Sequence, residues 1–88
     1  MIMIYTLSFT LHGKAYSNSQ EVPGRYLNNQ YEAVACGLLR GLIDKKGFSR
    51  QDVYTNLSLR ENGEDNGTVT DNIVWVAERY IPISEEVK

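Results

Sequence analysis

The sequence predicts an α+β domain in the order ββαββ, an antiparallel-rich sheet with one helix packed on one face. Three observations carry this. Residues 2–12 alternate with a period of two, and residues 29–46 hold apolar side chains at helical spacing with start and stop signals. Two further extended runs, 53–60 and 69–81, are separated by a turn-rich segment.

In the first run, Met3, Tyr5, Leu7, Phe9 and Leu11 share one face, and Thr6, Ser8, Thr10 and His12 share the other. Such alternation describes a strand with one face on a core. Gly13-Lys14 breaks it, and the polar stretch 15–22 follows as an edge strand that Pro23-Gly24 closes. The helix opens at Asn29, a cap for the first turn, with Glu32 placed to reach back. Tyr31, Val34, Ala35, Leu38, Leu39, Leu42 and Ile43 form its apolar stripe. Lys45 and Lys46 suit the negative end of the helix dipole, and Gly47 suits the left-handed position that ends it. Residues 48–52 read as a short capped turn.

In 53–60, Val53, Thr55, Leu57 and Leu59 alternate onto one face. Residues 61–68, with two Asn-Gly pairs and the acids Glu61, Glu64 and Asp65, read as a mobile hairpin loop. In the strand 69–81, the centre Ile73-Val74-Trp75-Val76-Ala77 is apolar on both faces. That implies a central position or a covered outer face. Pro82 ends the strand, and 83–88 reads as a frayed tail of a single domain spanning 1–88.

Composition narrows the function classes. A net charge of −2 with dispersed Lys and Arg lacks the basic face of a general nucleic-acid binder. One cysteine, Cys36, forms no intramolecular disulfide and points to a reducing, cytoplasmic compartment. No apolar run approaches the length of a membrane span. One Cys and one His do not make a structural zinc site, and phosphate-loop, dinucleotide and EF-hand patterns are missing, so no cofactor is expected. His12 has no nucleophile set beside it, and no catalytic constellation stands out.

Two features point outward. Six tyrosines and one tryptophan suit either a half-buried sheet or an interaction surface, with Tyr5, Tyr16 and Trp75 as contact residues. Ala33, Gly37 and Gly41 repeat every four residues as a ridge without bulk. The ridge reads either as tight packing on the protein's own sheet or as a helix contact with a partner. Together with the two-faced strand 73–77 it points to a homodimer.

The run Asn28-Asn29-Gln30-Tyr31-Glu32, opening a helix after a hairpin, resembles the helix start of the ribonuclease H fold. Val53-Tyr54-Thr55-Asn56 resembles that family's next strand, so the likeness spans residues 2–57. It implies a carboxylate-held pair of metal ions and phosphoryl displacement. The family's first strand and leading aspartate have no counterpart here, and Asn56 replaces a second aspartate while Glu32 matches the helix glutamate. The resemblance therefore implies a degenerate member that binds nucleic acid or nucleotide, through a patch from Lys14, Arg25 and Arg40. The trimmed architecture is also similar to HicB-type antitoxins, which bind proteins. The leading expectation is a non-enzymatic protein-binding module, such as a small inhibitor, antitoxin or anti-defence regulator. Its contacts would run through the polar sheet face (Thr6, Ser8, Thr10 and Tyr16) or the acidic loop.

Overall fold

The computed structural model describes residues 2–83. It has four strands, β1 (Met3–Leu11), β2 (Lys14–Val22), β3 (Tyr54–Asp65) and β4 (Thr68–Tyr80), and one helix, α1 (Tyr31–Lys46). The strands form one antiparallel sheet in the order β2-β1-β3-β4, so both hairpins are intact and β1 pairs with β3 at the centre. The ββαββ order and the α+β class are those the periodicities predict.

Alternation along β1 buries Met3, Tyr5, Leu7, Phe9 and Leu11 beneath α1, which supplies Tyr31, Ala35, Leu38, Leu39, Leu42 and Ile43. Together with Tyr54, Leu57 and Leu59 of β3 these make one apolar core. The helix stops as read: Gly47 lies at φ 73° and its amide donates to the Ile43 carbonyl at 2.8 Å. Its start differs. A 3₁₀ turn, Asn28–Gln30, precedes α1, and the reach-back comes from Gln30, whose Oε1 accepts the Leu27 amide at 2.7 Å. Neither Asn29 nor Glu32 caps the helix, because the 3₁₀ turn moves the start by two residues.

The β3 face is also out of phase with the simple alternation. Ser8 pairs with Ser58 and Thr10 with Thr55, so β3 holds one extra residue there. Asn56, at φ 53°, is that bulge. It turns Tyr54 inward and leaves Val53 exposed, while Leu57 and Leu59 keep their predicted side.

The expected loop at 61–68 is corrected. β3 runs to Asp65, and only Asn66-Gly67, at φ 52° and 79°, make the turn. Gly63 lies inside the strand at φ 147°, where a Cβ would stand 2.4 Å from the Ile2 carbonyl oxygen and 3.0 Å from Met3 Cα. β4 is likewise an edge strand rather than a central one, with its own bulge at Val74, since Leu59 pairs with Trp75 and Arg60 with Ile73. The chain remains tethered beyond it: Pro82 is buried and the Ile83 amide donates to the Arg50 carbonyl at 3.0 Å. Of the tail read as frayed, 84–88 lie outside the described residues.

Gly63→Ala should lose about 2 kcal/mol or more of stability in urea unfolding, from backbone overlap and the strained φ. Gly24→Ala, where a Cβ meets nothing within 4 Å, should stay within about 0.5 kcal/mol of the parent.

Candidate functional site

The sheet is covered on one face only, and this one-sidedness organises three places of chemical interest. The first is internal. Glu61 of β3 stands opposite Tyr5 of β1 and is buried on the helix side. Its Oε2 accepts the hydroxyls of Tyr5 and Tyr31, each at 2.8 Å, and its Oε1 accepts Arg25 Nη2 at 3.0 Å. The Tyr5 oxygen in turn accepts the Tyr26 amide at 2.9 Å. Burial alone would push the Glu61 carboxyl up, but the hydroxyls of Tyr5 and Tyr31 and the Arg25 guanidinium outweigh it and hold the group below its ordinary value. Burial, with the Glu61 charge adding to it, pushes the Tyr5 hydroxyl up to about 12. Burial first and then Glu61 raise Tyr31 as well. Both oxygens of the carboxylate are thus occupied by the protein's own donors, and the group ties four segments of chain together.

The second place is a groove of about 640 Å³ between the outer edge of β2 and the near flank of α1. Ser19 and Gln20 line one wall, and Ala33, Gly37 and Leu38 the other. Asn18 closes one end, donating from Nδ2 to the Leu38 carbonyl at 2.9 Å. Ala33 and Gly37 of the small-residue ridge face this groove, and Gly41 lies beside Asn18. A Cβ on Gly37 would meet nothing within 4 Å, and one on Gly41 only Asn18 Nδ2 at 3.6 Å.

The third is the uncovered face of the sheet. Thr6, Ser8 and Thr10 of β1 lie there with Ser17 and Ser19 of β2 and Ser58 and Arg60 of β3. Along β4 the same face carries Val69, Ile73 and Val76, which are 76, 52 and 67 % exposed. Between them Arg60 Nη1 meets Asp71 at 2.7 Å, and this hydrogen bond holds the Asp71 carboxyl below its ordinary value.

The expected contact residues fall unevenly over these places. Tyr5 and Glu61 come together, but inside the core, so neither belongs to an outer surface. Tyr16 lies on the helix side, its ring 5.8 Å from Phe9 and 5.0 Å from Phe48, and not on the polar sheet face. Trp75 is half-buried and also packs on the core. Indeed all nine aromatic rings are in the core or packed against it. Ala33 and Gly37 line the groove. Glu64 is exposed near the hairpin end, and Asp65 lines a second cleft beside Arg25 and Tyr31. Lys14 begins β2 while Arg25 follows its far end and is committed to Glu61, so the two form no common patch. Among the described residues no group of three His, Cys, Asp or Glu side chains is placed to hold a metal ion. No described helix is long and apolar enough to cross a membrane.

The sequence reads Arg25 as part of a basic patch and not as a partner of Glu61, and neither the Tyr26 amide nor the hub role of Tyr31 is legible there. One signal was present: continuing the alternation of Leu57 and Leu59 by two places puts Glu61 on the core face. A carboxylate there demands donors. Comparison of the chain with protein-family profiles, with curated proteins and with solved structures returns no match.

Removing the hub carboxylate should be costly because two buried hydroxyls lose their acceptor. Glu61→Leu should lose about 3–5 kcal/mol in urea unfolding, and Glu61→Gln less, since an amide oxygen still accepts from the tyrosines. The pH dependence follows from the signs. Glu61 titrates lower in the folded state than its ordinary 4.5, so the unfolded chain takes up the proton first. Its contribution is present above 4.5 and is lost as acid carries the pH down through the folded value. Tyr5 is raised, so its contribution is full below pH 10 and is lost as the pH rises toward about 12. Unfolding midpoints measured across pH should fall at both ends, and Glu61→Leu should flatten the acid limb.

Proposed function

We propose that the chain is a protein-binding module, of the small inhibitor or regulator kind, and that it docks a partner protein on the uncovered face of its sheet. The observation that carries this reading is the line of Val69, Ile73 and Val76, three large aliphatic side chains exposed on a face that the protein's own helix leaves bare. Such a run beside small hydroxyl side chains offers a partner apolar area, and the exposed carboxylates of Glu64, opposite Val69, and of Glu21 at the β2 edge give its rim a negative charge. Among the described residues the ion pair of Arg60 with Asp71 is neutralised within the face.

The same features favour protein over nucleic acid. Single-stranded ligands stack on exposed aromatic rings above a basic groove. Here the rings are committed to the core, the net charge is −2, and Lys14 and Arg25 stand far apart. A β4 centre that is apolar on both sides, in an edge strand, fits a face that is covered only when the partner is bound.

The test compares the parent chain with an Ile73→Asp, Val76→Asp double variant, each immobilised and exposed to extract from its native host. A protein retained stoichiometrically by the parent should bind the folded double variant at least about thirtyfold more weakly when purified and titrated. Equal binding by the two, or no retained protein, would contradict the reading.

A further inference from the structure

The charges on the uncovered face select the chemistry of its occupant. Resting on the docking reading of that face, we propose that the partner presents an aliphatic centre bordered by lysine or arginine side chains, which meet Glu21 and Glu64.

The register of the four strands fixes the layout. Across the sheet, Glu21, Ile4, Asn62 and Asp71 form one row, and Ser19, Thr6, Arg60 and Ile73 form the next. Glu64 stands one pair beyond the first row, opposite Val69. Directly paired residues project to the same side of a sheet, so these rows share the face that α1 leaves bare.

The acidic groups gather at one end of this face. Arg60 offsets Asp71 through their contact at 2.7 Å. Glu21 and Glu64 are exposed, and among the described residues neither has an ion-pair partner. Nearby cations are committed to the other side. Arg25, which follows β2, reaches Glu61 at 3.0 Å on the helix side. Lys14 stands at the far end of β2, opposite Leu11 and therefore also on the helix side.

Apolar residues interleave with the two free carboxylates. Val69 adjoins Glu64 across the β3–β4 ladder, and Ile2, 56 % exposed, adjoins it from the other side, its carbonyl accepting the Glu64 amide at 3.4 Å. Ile4 lies beside Glu21. A purely apolar cover would strip water from both carboxylates and return nothing to them. Lysine and arginine avoid that loss, because their methylene stems lie along aliphatic surface while the charged head meets the carboxylate. A second copy brings the same two carboxylates to the contact, and a nucleic acid brings phosphates. Both are disfavoured by like charge.

Two amphipathic helical peptides of about 18 residues test the assignment, each with a leucine stripe, one flanked by lysines and the other by glutamates. Each is titrated into the isotope-labelled full chain, and backbone amide shifts report both site and affinity. The lysine peptide should shift the amides of Ile4, Asn62, Val69 and Ile73, and bind at least about tenfold more tightly than the glutamate peptide at low salt. Added salt should narrow that difference. Glu21→Lys with Glu64→Lys should weaken the lysine peptide at least about fivefold, and Glu32→Lys with Asp44→Lys, the same change of charge at exposed positions of α1, less than about twofold. Equal losses from the two pairs would overturn the assignment, since attraction would then follow net charge and not this face. Equal shifts of the face by both peptides would overturn it and leave the docking reading standing. Shifts confined to other surfaces, or no shifts, would overturn both. A parent dimer in sedimentation velocity that Ile73→Asp with Val76→Asp dissociates would also overturn the assignment, because the face would then belong to a second copy.

Discussion

The structure turns on one buried carboxylate. Glu61 sits where β1, β3, the segment after β2 and the first turn of α1 converge, and it bonds to a side chain from each of the other three. Placing a charge there is unfavourable in itself, so the surroundings must supply donors in fixed positions. Tyr5 supplies one from directly across the ladder, which sets β1 against β3. Arg25, 43 % exposed, reaches in from the segment that leaves β2 and draws it back over the sheet. Tyr31 is the first residue of α1, so its hydroxyl fixes where the helix begins its crossing. An apolar replacement does not reproduce this, because the two tyrosine hydroxyls and the guanidinium would each lose an acceptor.

That anchoring makes the molecule one-sided. Because the helix is pinned over the Tyr5–Glu61 face, all the aromatic rings gather beneath or beside it. The opposite face carries hydroxyls, aliphatics, the Arg60–Asp71 ion pair and the side chains of Glu21, Asn62 and Glu64. The flank of α1 toward β2 stays thin while its centre packs tightly. The bare sheet face and the groove beside α1 are thereby separate surfaces, and neither draws on the Glu61 carboxylate.

Much of this was legible in the residues. The period of two in β1 and the stripe of α1 name most of the core, since each follows from burial on a single face. Lys45, Lys46 and Gly47 mark the helix stop through local electrostatics and the left-handed turn. The errors share a physical origin: competition between local signals that only the tertiary partners resolve. Asn62-Gly63 and Asn66-Gly67 are equally good turns by sequence. The second is used because β3 must run on past Ile2, where Gly63 admits the close approach. Asn56 tolerates a left-handed backbone, and the resulting bulge replaces Thr55 by Tyr54 on the core side. The ridge on α1 was visible as a pattern, but which neighbour it faced required the position of β2. Tyrosine counts point equally to a surface or a core, and here the hub and the helix draw every ring inward.

The account's central claim is that three donors overcome burial at Glu61. Its most direct test is the titration of the Glu61 side-chain carboxyl by carbon-detected NMR in the native chain and in Arg25→Ala. The claim predicts a midpoint below 4.5 in the native chain and an upward displacement when the guanidinium is removed. A native midpoint above 4.5, as burial alone would produce, or one indifferent to Arg25, would contradict it.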